Sequence, residues 1–195
     1  MARRPFLLAV PITAAVVSLV ATAGPVLAAE TAPAAGAAGT LSSAPPAAEH
    51  VRPLHEMRTP QNFMFYTLSD NEAERAEEIH GFTPTGEAKG LGLFNKRVEG
   101  TTAVYRLRTV KEPRSYILVT NENELNTLLE DETDAWEFRL DGVIGYISTK
   151  ETPGTVAVHR FSKKNDWRLA RASRVDLPVA GYNDDGLLGY APTTR

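Results

Sequence analysis

The sequence predicts a mainly β fold with short helices: a β-rich α+β domain of three tandem repeats closed around a pseudo-threefold axis. Three observations carry that expectation. First, Gly154-Thr155-Val156-Ala157-Val158-His159-Arg160-Phe161 nearly copies Gly100-Thr101-Thr102-Ala103-Val104-Tyr105-Arg106-Leu107. Each reads as a turn followed by an alternating, half-buried strand. Second, a turn glycine, apolar residues, a small residue and a terminal ring recur in Gly90-Leu91-Gly92-Leu93-Phe94, Gly142-Val143-Ile144-Gly145-Tyr146 and Gly186-Leu187-Leu188-Gly189-Tyr190. Third, each unit so bounded holds a few short strands and at most one helix. That is too little to hide its own apolar face, so the units must stack or close on one another. Closure also removes exposed sheet edges.

Taken in order, the chain begins with Arg3 and Arg4, then an apolar run from Phe6 to Val20 interrupted by Pro11. Val26-Leu27-Ala28 places small residues ahead of a cleavage point, so residues 1–28 read as a secretory signal peptide. Arg3-Arg4-Pro5-Phe6-Leu7 also resembles a twin-arginine export signal, which leaves the export route open. Residues 29–52 are rich in Ala, Pro, Gly, Ser and Thr and nearly lack large apolar side chains. Such a stretch cannot offset its ordering entropy and reads as a disordered linker. The three-repeat domain then spans residues 53–195, with units at about 54–103, 104–157 and 158–192. The expected location is extracellular, with no membrane span after signal cleavage.

Each unit opens on a strand, at Leu54-His55-Glu56-Met57, Val104-Tyr105-Arg106-Leu107 and Val158-His159-Arg160-Phe161. Second strands follow at Phe63–Thr67, Tyr116–Thr120 and Trp167–Ala170, the last being the most polar and the expected edge. Helices follow the first two. Ser69 or Asp70 can cap one whose first turn carries Glu72 and Glu74, and Asn121 can cap another with Leu125, Leu128 and Leu129 on its apolar face. Ser173 to Leu177 keeps a trace of the third. Each unit closes on its glycine signature, where the later glycine leaves room for a neighbour to approach and Phe94, Tyr146 and Tyr190 point inward.

Composition bounds the chemistry. The 195 residues are 43% hydrophobic, carry a formal charge of −3 and include no cysteine. Disulfides, thiolate nucleophiles and cysteine-ligated zinc are therefore excluded. A mildly acidic chain without a basic block argues against nucleic acid as a partner.

Units built as Pro-Gly-Thr-Val, then Tyr or His with Arg and an apolar residue, then an aromatic-Thr strand, an acidic helix and Gly-apolar-small-Tyr resemble a secreted bacterial repeat family. It is the domain of unknown function with Tyr-Arg-Leu-Tyr-Asn, His-Phe-Tyr-Thr-Thr and Tyr-Glu-Gly-Ile-Ala repeats. The resemblance runs over about residues 53–192 and is closest in Gly100–Leu107, Asp141–Ile147 and Thr152–Phe161. Members are often found beside secreted cell-wall hydrolases, which implies an accessory, envelope-binding role and no agreed catalytic residues. The family's Asn-Pro-x-Thr-Gly-Asp-His turn is replaced here by Thr59-Pro60-Gln61-Asn62, Val110-Lys111-Glu112-Pro113 and Lys163-Lys164-Asn165-Asp166.

No catalytic constellation is legible. Glu72, Glu74, Glu77 and Glu78 read as a solvated helix face with favourable N-terminal charge. Glu130-Asp131-Glu132-Thr133-Asp134 matches no calcium loop. His55, Tyr105 and His159 share one repeat position and read as a slot for a flat ring. No Gly-x-Ser-x-Gly elbow and no phosphate loop occurs. The expectation is thus a non-enzymatic, monomeric binding module for glycan or cell-envelope material, such as a cell-wall glycan or polysaccharide, without metal or cofactor. The class of rival is a protein-interaction or inhibitor module, with a hydrolase least supported. Sugar C–H faces stack on aromatic rings while charged side chains bond the hydroxyls. The candidate stackers are Trp136, Trp167, Tyr116 and Tyr182, and the candidate polar partners are Arg139, Asp141, Arg168 and Asp184.

Overall fold

The computed structural model describes residues 48–86, 88, 90–130, 137–171 and 181–194. It is mainly β with two short helices. A 3-10 turn (Ala48–His50) leads into β1 (Val51–Pro53), β2 (His55–Arg58), β3 (Met64–Thr67), α1 (Asp70–His80), β4 (Thr83–Pro84) and β5 (Gly92–Phe94). Then come β6 (Thr101–Thr109), β7 (Tyr116–Val119), α2 (Glu122–Glu130), β8 (Phe138–Ser148), β9 (Thr155–Lys163), β10 (Asp166–Arg171) and β11 (Asn183–Pro192). Among the described residues no helix is long and apolar enough to cross a membrane.

An eight-stranded sheet follows the path β1-β5-β8-β11-β9-β10, with β6 paired to β8 and β7 to β6, while β3-β2-β4 form a second, three-stranded sheet. The expected strand pairs form as antiparallel ladders, β2 on β3, β6 on β7 and β9 on β10. As its polarity suggests, β10 ends its path. β1 starts inside the stretch read as linker, because Val51 and Arg52 find ladder partners in Phe94 and Leu93.

The helix starts follow their caps. Ser69 Oγ accepts the Glu72 amide at 3.2 Å, and α1 stops where Gly81 takes a left-handed conformation, φ 67°. Asn121 Oδ1 accepts the amides of Asn123 (2.8 Å) and Glu124 (3.3 Å) at the start of α2. Of its three leucines, Leu125 is buried and Leu128 packs on the core, but Leu129 faces outward. The helical trace at Ser173–Leu177 lies outside the described residues.

Leu54, Val104 and Val158, which open the three predicted units, lie in one buried cluster with Tyr66, Leu118, Leu91, Leu93, Ile147, Leu188 and Ala191. The strands that carry the glycine signatures touch pairwise. β5 meets β8 at Phe94 and Tyr146, β8 meets β11 at Ser148 and Tyr190, and Leu91 bridges Thr193 at the end of β11. The small residues permit these approaches. A Cβ on Gly145 would stand 2.8 Å from Leu68 Cδ1 and 3.0 Å from the Phe94 carbonyl, and one on Gly189 would stand 2.8 Å from Ile147 Cγ2. The terminal rings depart from expectation. Phe94 is buried, whereas Tyr146 and Tyr190 are half-buried. The reason is strand alternation: Ile147 and Ala191, the next residues along, take the inward positions.

Candidate functional site

The site grows from an arginine on the polar phase of a buried strand. Arg106 lies in the middle of β6, its side chain 8% exposed. A buried guanidinium must satisfy its fork of donors. Its Nε donates to Asp141 Oδ2 (3.2 Å), Nη1 to the Tyr66 carbonyl (2.9 Å) and Glu72 Oε2 (3.1 Å), and Nη2 to Glu72 Oε1 (2.7 Å). This clasp joins the β3–α1 junction to β6 and β8. Glu72 is therefore an ion-pair partner rather than part of a solvated helix face. Partial burial pushes its carboxyl up, but bonds from Arg106 and Thr67 outweigh that and hold it below the usual range.

A cleft of about 770 Å³ opens over the clasp. One wall is the face of α1 bearing Glu72, Arg75, Ala76 and His80, residues three or four apart and so on one side of the helix. The other wall is the outward phase of β6, Arg106 and Arg108, together with Tyr116 of β7 and Asp141 of β8. The β2–β3 turn (Thr59, Pro60, Gln61) and the β6–β7 turn (Glu112, Arg114) form its ends.

The floor is aromatic. Phe65 meets Phe82 (centroids 5.3 Å) and Tyr116 (5.0 Å) edge to face, and the Arg106 guanidinium lies 4.4 Å from the Phe65 ring centre. Burial, then the nearby Asp141 charge, raises the Tyr116 phenol, so its hydroxyl keeps its proton. Two further ion pairs line the rim. Arg108 Nε lies 3.1 Å from Asp141 Oδ1, and Arg114 Nε 2.9 Å from Glu112 Oε1.

Of the residues the sequence singled out, Tyr116 and Asp141 line this cleft together. Arg139 stands on the same strand as Asp141 but exposed, 3.9 Å from Glu137. Trp167, Arg168 and Tyr182 gather elsewhere. Trp167 packs edge-on against Phe138, centroids 5.7 Å apart, at the border of a second core cluster. Arg168 Nε donates to Asp166 Oδ2 (3.0 Å) and its guanidinium covers the Tyr182 ring at 4.9 Å. The Tyr182 hydroxyl donates to Asp166. Partial burial and then that bond push the Tyr182 phenol up to about 12.

Asp184 accepts from the Gly186 amide (2.8 Å) and lies 3.0 Å from His159 Nδ1. Burial raises its carboxyl slightly, but these two partners hold it below the usual range. Trp136 lies outside the described residues. The supposed ring slot is also not uniform: His55 bonds Asp70 at 2.7 Å and His159 bonds Asp184, whereas Tyr105 packs against the core. Among the described residues no group of three or more His, Asp or Glu is placed to hold a metal ion.

Sequence reasoning read Glu72 as part of a solvated helix face and gave no site role to Phe65, Phe82, Arg75, Arg106, Arg108 or Arg114. One signal was available for Arg106, since it recurs as Arg160 in the second copy of the strand. Arg160 forms the same clasp. Its Nε donates to Asp185 Oδ2 (2.9 Å), Nη1 to the Leu118 carbonyl (3.0 Å) and Nη2 to Glu124 Oε1 (2.6 Å).

Comparison with curated proteins and with solved structures gave no match. The family model described as "Domain of unknown function (DUF5648)" matches twice, over residues 36–132 and 59–192. The second match alone takes in both helices, both arginine clasps and all of the cleft, so the chain belongs to the DUF5648 family of domains of unknown function.

Proposed function

We propose that this protein is a secreted, non-catalytic module that binds cell-envelope glycan in the cleft between α1 and the β6–β7 hairpin. The observation that carries the reading is the cleft's construction: the half-buried rings of Phe82 and Tyr116 set against buried Phe65, flanked by arginines and carboxylates fixed in ion pairs. Pyranose rings offer apolar faces to such a floor and hydroxyls to such a rim. The volume, about 770 Å³, suits a short oligosaccharide. Export is supported by the leader-like residues 1–28, and the Ala/Pro-rich stretch between residue 29 and the 3-10 turn at Ala48 serves as the spacer.

A binding role fits the state of the carboxylates better than hydrolysis does. Glycoside cleavage needs a carboxylic acid that still holds its proton. Glu72 faces the opposite environment, gripped by Arg106 through both oxygens.

We further propose that the three units close around a pseudo-threefold axis. Support comes from the pairwise meeting of β5, β8 and β11, from the shared cluster of Leu54, Val104 and Val158, and from Tyr66, whose hydroxyl accepts the Leu169 amide at 3.0 Å.

The test is co-sedimentation of the full chain with purified peptidoglycan and insoluble polysaccharides. Wild type should be retained, Tyr116→Ala should be lost to the supernatant, and Trp167→Ala should behave as wild type. Absence of retention on every polymer ends the glycan reading. Equal retention of Tyr116→Ala moves the site away from this cleft.

A further inference from the structure

Resting on the glycan reading above, we infer that the ligand is anionic: a glycan carrying an oxyanion, seated on Arg75, Arg108 and Arg114. Hydrogen-bonding capacity in the cleft is unevenly spent. Every carboxylate oxygen there already has a cationic or amide partner. Glu72 gives both oxygens to Arg106, and Asp141 gives one to Arg106 and one to Arg108. Glu112 gives one to the Arg114 side chain and the other to the Arg114 amide.

The donors are not used up. Arg106 spends four of its five N–H donors on the clasp, whereas Arg108 and Arg114 make their ion pairs through Nε, and no bond of their Nη atoms occurs among the described residues. Arg75, exposed on α1, makes no ion pair among the described residues. A guanidinium offers five N–H donors and no acceptor. What the cleft has left to offer charged or polar groups is therefore mostly donors, with four arginines against three carboxylates. A ligand that brings only hydroxyls would use them weakly. One that brings a carboxylate or phosphate would meet charge-assisted, fork-like partners. The whole chain is acidic, with formal charge −3, so unspecific attraction of a polyanion is disfavoured and the preference has to come from this local field.

The experiment is calorimetric titration of the full chain with three soluble probes: oligogalacturonate for carboxylate, a glycerol-phosphate oligomer for phosphate, and chitohexaose as the neutral control. An anionic probe should bind at least roughly tenfold more tightly than the neutral one, and added salt should weaken it. Arg75→Gln and Arg114→Gln, both at exposed positions, should each weaken the anionic probe by roughly tenfold while leaving the melting temperature unchanged. Whichever anion binds better names the oxyanion. If chitohexaose binds as tightly as both anions, the inference is overturned while the glycan reading stands. Anion binding that both arginine variants leave unchanged also overturns it. If no probe binds, the inference is overturned, and the glycan reading falls with it only when co-sedimentation also shows no retention.

Discussion

The clasps around Arg106 and Arg160 share every polar partner by position. Each guanidinium takes a main-chain carbonyl, the glutamate six residues further on, and an aspartate ahead of a glycine. Their burial also agrees, with side chains 8% and 12% exposed. The surroundings differ. Cross-strand register places Trp167 beside Ser162 where the other pair places Tyr116 beside Arg108. At the second clasp Ser162 Oγ donates to Asp185 at 2.6 Å, in the place of the Arg108 ion pair. The floor there carries Ile117 where the first has Phe65, and Trp167 turns to Phe138. Counting along the helices from Glu72 and Glu124 puts Thr127 where Arg75 stands, and its hydroxyl donates to the Asn123 carbonyl. The lesson is a separation of roles. The clasp recurs, as a structural joint should, while among the described residues the Phe65–Phe82–Tyr116 floor and the unused guanidinium donors beside it are seen at the first copy.

That separation can be broken or sharpened by experiment. The largest effect is expected from a chain ending before Val158. It removes Val158, Leu188 and Ala191 from the shared core cluster, so the remainder should lose its cooperative melt. A truncated chain that still melts sharply by circular dichroism would refute interdependence of the units. Next comes Arg106→Ala against Arg160→Ala. Each leaves partly buried carboxylates without their counter-ion, so each should cost about 2–4 kcal/mol in urea unfolding. If the joints are equivalent, the two values should agree within about 1 kcal/mol. A large inequality would show that one clasp does more than join.

Gly145→Ala should cost about 1–3 kcal/mol, because the new methyl would meet Leu68 and the Phe94 carbonyl. Ser69→Ala should cost about 1 kcal/mol through loss of the α1 cap, again read from urea midpoints. The smallest effect concerns acid. The Glu72 carboxyl is lowered from 4.5 in the folded chain, so its stabilisation is present above that value and is lost as pH falls through the lower folded value. Its side chain is 40% exposed, so solvent screening holds the effect to about 1 kcal/mol or less. Glu72→Gln should therefore flatten the acid limb of stability below about pH 4.5, and an unchanged limb would place the acid sensitivity elsewhere.

Much of the architecture was legible before any coordinates. Alternation marked Val104–Leu107 and Val158–Phe161, capping residues marked Ser69 and Asn121, and the small residues Gly145 and Gly189 stood where backbones come close. The site was legible only in part. Tyr116 and Asp141 reached the cleft, but Trp167 went to packing and Arg139 to solvent. Glu72 looked like ordinary helix-start charge because its partner lies 34 residues away in the chain.

The sequence by itself determined local conformation, where strands run and where helices begin, since both depend on neighbours within a turn or a pleat. The tertiary structure alone decided which charges meet and which rings stay open to solvent. Those depend on long-range strand pairing, where a single register choice sets Arg108 beside Tyr116 and Trp167 beside Ser162. A two-residue spacing can announce a strand, but only the folded sheet can tell an arginine whether its carboxylate is already taken.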